Sequence, residues 1–88
     1  MNIYLLTQFD STGYDTFDSM IVIAKSPQQA ILIHPEASWY DEDILSHDRW
    51  SDKLGQSWAD SPSTVAVEFI GKAKVKGPRI VCTSFNAG

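Results

Sequence analysis

Residues 20–35 read MIVIAKSPQQAILIHP, and this stretch decides the fold class. Its first five residues are apolar on both sides of an extended chain, a pattern typical of a central strand covered on at least one side. Ser26 is a favoured N-cap, Pro27 suits the first helical position, and Gln29 occupies the third position of a capping box. Because the next proline ends the helix, the pattern predicts a strand followed by a two-turn helix over 26–34.

Three further segments alternate in the way that strands do, and they are 3–9, 64–70 and 79–85. The element order is then β-β-α-irregular-β-β. We therefore expect an α+β fold, in which one short helix packs on a four-stranded, mostly antiparallel sheet. The chain, 1–88, has the length of a single domain. The side chains expected to be mostly buried are Ile21, Ile23, Val65, Val67, Ile80 and Cys82.

The net charge of −4 is unevenly distributed. Residues 1–60 hold ten acidic residues against three basic ones, and residues 61–88 hold one against four. An acidic protein is a poor non-specific ligand for nucleic acid or anionic membrane, so we expect neither as a partner. No apolar run is long enough to span a membrane, and the N-terminus lacks the basic start of a secretory signal. These features favour a cytoplasmic protein.

The four basic residues near the C-terminus are Lys72, Lys74, Lys76 and Arg79. On an extended chain the three lysines project from one face. Their expected role is to protect the edge of a β-hairpin from unwanted pairing. The alternative is that they hold an acidic strand or nucleic acid.

Metal, cofactor and disulfide chemistry find little support in the sequence. Cys82 is the single cysteine, and its apolar surroundings predict an inert buried thiol. Asp43 and His47 are four residues apart, as some metal ligands are, but a site needs three or four converging ligands. A solvated acidic surface is the expected role of this segment, and we expect no metal and no cofactor.

All three tryptophans lie in the irregular segment between the helix and the third strand. Tryptophan is enriched at binding hot spots, and neighbouring carboxylates can orient a basic partner. A small domain also needs large side chains for its core, so each ring is either interface or scaffold. The candidate partner-binding residues are Trp39, Tyr40, Asp41, Glu42, Asp43, Trp50 and Trp58.

A second candidate is the loop with Tyr14, Asp15, Phe17 and Asp18, in which two aromatic residues stand beside two carboxylates. It is either a recognition tip or a loop whose rings fold back on the protein while the carboxylates bond nearby N–H groups.

Segments 3–8, 13–19 and 84–88 together resemble short uncharacterised proteins encoded by tailed phages and prophages. The resemblance implies no settled activity, no cofactor and no catalytic residues. It implies a genomic context in which small acidic proteins often act by occupying a surface on a host protein, defence proteins included.

The sequence therefore predicts a small acidic binding module that attaches to a host or phage protein and inhibits or modulates it stoichiometrically. The first alternative is a structural or assembly subunit that forms homo-oligomers through exposed strand edges. The second alternative is a small enzyme, which is less favoured because no nucleophile or oxyanion motif accompanies His47 and Asp48.

Overall fold

The protein is described by a computed structural model. The structure describes residues 1–39, 45, 50 and 57–86, and for residues 38 and 39 it describes the main chain alone. Along the chain, the elements are β1 (Asn2–Thr7), β2 (Thr16–Ala24), α1 (Pro27–Ala30), a 3₁₀ helix at Pro35–Trp39, a second 3₁₀ helix at Pro62–Thr64, β3 (Ala66–Lys72) and β4 (Arg79–Asn86).

The four strands form one antiparallel sheet in the order β3-β1-β2-β4. The predicted α+β fold class is confirmed. The predicted hairpin near the C-terminus is wrong, because β3 and β4 lie at opposite edges of the sheet. The connection 73–78 therefore crosses the end of the sheet past β1 and β2. Three inter-strand spacings amount to about 14 Å, which six extended residues can span at about 3.3 Å each.

Helix α1 begins as its sequence predicts but ends sooner. The Ser26 hydroxyl accepts from the Gln29 N–H at 3.2 Å, and the Gln29 side chain accepts from the Lys25 N–H at 2.9 Å. The helix has one turn, Pro27–Ala30, rather than the two turns predicted for 26–34. The following turn, with its Ile33 N–H bonded to the Ala30 carbonyl, directs Ile33 into the core, where it is fully buried. Burial of that side chain outweighs helix continuation, since so short a helix gains little from propensity.

One face of the sheet carries the core. Tyr4 pairs with Val22 and Leu6 pairs with Met20, and all four side chains are buried. The members of the core cluster are Tyr4, Leu6, Phe17, Met20, Val22, Ala24, Ala30, Ile33, Trp58, Ala59 and Val65. Helix α1 and the segment around Trp58 thus cover the same face.

Two of the six residues predicted to be mostly buried are buried. Ile23 and Val65 are buried, whereas Ile21 and Ile80 are half-buried. Val67 and Cys82 are exposed, which corrects the prediction for both. The reason is topological, because β3 and β4 are edge strands, and Cys82 pairs with Ile21 on the face opposite Val22.

Among residues 1–39, 45, 50 and 57–86, no helix is long and apolar enough to cross a membrane.

Candidate partner-binding site

The connection between β1 and β2, residues 8–15, presents two aromatic side chains to solvent. We call it the aromatic loop. Phe9 is 82% exposed and Tyr14 is 77% exposed, the two largest values among the exposed large hydrophobic side chains of the described residues. Complete burial of a ring of this size stabilises a fold by about 1.5–3 kcal/mol. Phe9 and Tyr14 each lack most of that stabilisation, because each ring is mostly exposed.

The aromatic loop is held from beneath by Gln8. This side chain is 3% exposed, and its Nε2 donates to the Ser11 carbonyl at 2.6 Å and to the Phe17 carbonyl at 2.8 Å. Its Oε1 accepts from the Ser11 N–H at 2.8 Å. A single buried amide therefore bonds three main-chain groups and closes the base of the loop.

The far side of the loop is fastened to the end of β4. The Gly13 carbonyl accepts from Thr16 Oγ1 at 2.8 Å and from Asn86 Nδ2 at 2.6 Å. The Asp15 N–H donates to the Asn86 carbonyl. Gly13 and Asp15 both have positive φ, 101° and 62°, and this pair of left-handed residues flanks Tyr14. The side chain of Tyr14 is thus placed at the tip of a fixed turn.

Asp10 ties the loop to the chain that precedes β3. Its Oδ2 accepts from the Asp60 N–H at 2.9 Å and from the Thr64 hydroxyl. These two hydrogen bonds lower the pKa of the Asp10 carboxyl below its ordinary value, and the bond from the Thr64 hydroxyl is the larger cause. The carboxylate therefore stays ionised and acts as a surface clasp between two connections.

The loop lies in an acidic surrounding. Its own carboxylates are Asp10 and Asp15, Asp18 follows in β2, and Asp60 is joined to Asp10 through its main chain. All four are exposed, and no Lys or Arg of the described residues lies at this end of the sheet. Two exposed rings beside a group of carboxylates suit a basic partner, because cations pair with carboxylates and also bind over aromatic faces.

The structure separates the residues of the tryptophan-rich candidate. Trp58 is fully buried, so for this ring the core alternative holds. Trp50 is half-buried, donates from Nε1 to the Leu32 carbonyl at 3.0 Å, and packs edge-on against His34 at 5.1 Å. The ring of Trp39 and residues Tyr40, Asp41, Glu42 and Asp43 lie outside the described part.

The second candidate loop is divided between core and surface. Phe17 belongs to β2 and is fully buried, with its ring 4.8 Å from that of Phe85. The register shifts at Asp18, which leaves that residue without a strand partner and exposed. The fold-back alternative holds for the ring of Phe17, whereas Tyr14 and Asp15 are exposed and stay candidates for recognition.

Phe9 is the site residue that the sequence reasoning missed. Its period-2 pattern assigned it to the first strand together with Leu5 and Thr7, but β1 ends at Thr7. The turn-forming sequence that begins at Asp10 is the signal that separates Phe9 from the strand.

A groove lies on the sheet between β1 and β3. It has a volume of about 270 Å³ and is lined by Leu5, Thr7, Ala66, Val67 and Glu68. In the described ranges, no three His, Cys, Asp or Glu side chains are grouped closely enough to hold a metal ion. The pair Asp43 and His47 lies outside those ranges.

Comparison with known proteins finds no matching family model, no matching curated protein and no matching solved structure.

Proposed function

We propose that the protein is a small acidic binding module, which attaches through its aromatic loop to a basic surface of another protein and inhibits or modulates that protein stoichiometrically. One observation carries the proposal: Phe9 and Tyr14 are both exposed on a loop that buried and surface hydrogen bonds hold in one shape.

Rigidity is the reason to favour this loop as a binding surface. Association costs free energy for every side chain and loop segment that becomes ordered. In this loop the main chain is already ordered in the free protein, because Gln8 and Asn86 bond it. Binding therefore costs little further main-chain entropy. Tyrosine and phenylalanine add large contact area with few rotatable bonds, as anchors at interfaces do.

Inhibition by such a module needs no chemistry of its own. The two rings and the carboxylates of Asp10, Asp15 and Asp18 would cover a basic patch on the partner and exclude its normal ligand. The resemblance to short phage proteins supports a partner in the cytoplasm of a host cell, with defence proteins as one class of target. An enzymatic role stays an alternative that no described constellation of residues favours.

Selection from a library of random linear peptides tests the proposal. The wild-type protein is immobilised, and the enriched peptides are expected to carry Lys or Arg in excess. The double variant Phe9→Ser/Tyr14→Ser is expected to bind them about 30-fold or more weakly, which corresponds to about 2 kcal/mol lost from two hot-spot rings. Amide chemical shifts of the wild-type protein should change in the aromatic loop when peptide is added.

The matched control is Val81→Ser, which removes an exposed apolar side chain from β4 and leaves the loop intact. Its affinity for the peptides should equal that of the wild type. Enriched peptides without an excess of Lys or Arg, or equal binding by the double variant, would refute the proposal.

A further inference from the structure

The cationic side chains are segregated at one end of the molecule. All Lys and Arg of the described residues lie at the end of the sheet where β1 begins. Lys72 pairs with Asn2, Arg79 pairs with Ile23, and Lys25 directly follows β2. We call this the basic end. The residues that form it are Lys25, Lys72, Lys74, Lys76 and Arg79, and each is exposed.

Three of these lysines form a regular row. From Lys72 to Lys76 exposed and half-buried residues alternate, so the lysines project to one side of an extended chain. The Ala73 N–H donates to the Met1 carbonyl at 2.9 Å and holds the row against the start of β1. Lys74 and Lys76 lie in the connection that crosses the sheet, so protection of a hairpin edge does not explain them.

The acidic aromatic loop lies at the other end of the same strands. The six residues of β1 separate the two ends by about 17 Å. The four carboxylates around the loop cannot reach the lysine row within one molecule, although the two surfaces are opposite in charge. Each end is therefore complementary to the other end of a second copy.

We infer that the protein associates head to tail with itself, so that the basic end of one copy docks on the aromatic loop of the next. The inference rests on the proposed function, and it names a second copy as one basic surface that the loop recognises. Lysine ammonium groups pair with the loop carboxylates and lie over the faces of Phe9 and Tyr14. Such a contact joins two different surfaces, so it builds open chains, or rings where the rotation closes.

Self-association and binding of the proposed partner then exclude each other, since both occupy the aromatic loop. In the assembly the aromatic loop of each inner copy is covered by the next copy. A partner with a more strongly basic surface displaces that copy and binds the loop. Because the contact is electrostatic and lies at the surface, added salt weakens it.

Two variants separate the two halves of the contact. Phe9→Ser/Tyr14→Ser removes the rings, and Lys72→Glu/Lys74→Glu/Lys76→Glu reverses the row; all five side chains are exposed, so both variants should fold. In sedimentation velocity at low salt, the average mass of the wild type should rise with concentration. Each variant alone should sediment as a monomer. An equimolar mixture should form a one-to-one dimer and nothing larger, because it holds one intact copy of each surface.

Raising the salt concentration several-fold should weaken the wild-type association about tenfold or more. A wild type that stays monomeric at every concentration would overturn the inference, and if it still bound the selected basic peptides, the proposed function would survive. Self-association by either variant alone, or a monomeric mixture, would also overturn it. So would a labelled oligonucleotide that bound the wild type through the lysine row in preference to a second copy, since the basic end would then serve nucleic acid.

Discussion

The buried side-chain amide of Gln8 donates to the main-chain carbonyl of Phe17 at 2.8 Å, across the base of the aromatic loop. The same amide bonds the N–H and carbonyl of Ser11. Gln8 lies directly after β1, and its buried polar side chain bonds main-chain groups where β1 and β2 diverge and strand pairing has ended. Gln8 thus holds the base of the loop that carries both exposed rings, while Thr16 and Asn86 hold the turn at Tyr14.

Gln8→Leu should therefore destabilise the protein although it keeps the size and adds apolar character. Three buried main-chain groups lose their partner, and a buried group left unpaired costs about 1–3 kcal/mol. Urea denaturation should give a lower free energy of unfolding by about that amount or more, and amide exchange at Ser11 should accelerate. Gln28→Leu, on the exposed side of α1, is the matched control and should change stability by less than about 0.5 kcal/mol. Equal effects of the two substitutions would contradict the role of Gln8.

Asp10 should give the protein a measurable sensitivity to acid. The Thr64 hydroxyl and the Asp60 N–H lower its pKa in the folded state, so ionisation favours folding. Its contribution is fully present above the unfolded-state pKa, about 4, and is lost as the pH falls through the lower folded-state pKa. The carboxyl chemical shift of Asp10, followed by NMR titration, should report this lowered pKa.

Thr64→Val removes the larger cause and should return the Asp10 pKa towards its ordinary value. Asp10→Asn should flatten the fall of stability with decreasing pH in that acidic window. An Asp10 pKa that did not respond to Thr64→Val would show that the clasp does not form in solution.

Capping chemistry and side-chain periodicity predict most of the secondary structure, but they do not predict the order of the strands in the sheet. The Ser26 cap, the central strand around Val22 and the four-strand count follow from side-chain periodicity and capping chemistry, which act over a few residues. Periodicity gives the two sides of a strand but not which side is covered or which strands lie at an edge. That is why Val67 and Cys82 were expected inside and lie outside.

The candidate site was harder to predict for the same reason. Exposure of Phe9 depends on where β1 ends, and the end of β1 depends on bonds from Gln8 to residues as far along as Phe17. Burial of Trp58 depends on its return to a sheet face formed by distant strands. Composition showed that aromatic residues were plentiful, but their division between core and surface is set by long-range contacts.

Trp58 should tolerate phenylalanine far better than alanine. Its ring is fully buried in the core cluster, but its Nε1–H has no acceptor among the described residues. Trp58→Ala should cost about 3–5 kcal/mol, as large truncations in a core do. Trp58→Phe also removes an unpaired buried donor, which by itself is unfavourable by about 1–3 kcal/mol, so the lost packing is largely offset. Thermal and chemical unfolding of both variants should differ accordingly; a similar loss for the two would mean that the indole N–H is bonded.

Gly13 and Gly71 provide a matched test of how the aromatic loop is shaped. A Cβ added at either glycine would meet no atom within 4 Å, so neither substitution creates a clash. The difference is backbone conformation, because Gly13 has a φ of 101°, a region that side chains rarely adopt. Gly13→Ala should therefore destabilise the protein by more than about 1 kcal/mol, whereas Gly71→Ala should be neutral or stabilising by about 0.4–1 kcal/mol.

Gly13→Ala and Gly71→Ala also test whether the turn at Gly13 places Tyr14 for binding. Strain at Gly13 should shift the carbonyl that accepts from Thr16 and Asn86 and so displace Tyr14 from the tip of the loop. Gly13→Ala should then weaken binding of the selected basic peptides, measured by calorimetry at a temperature where the variant is folded, while Gly71→Ala leaves it unchanged. Loss of stability without loss of affinity would show that the turn supports the fold but not the placement of Tyr14. Equal stability of the two variants would show that Gly13 does not hold a positive φ in solution.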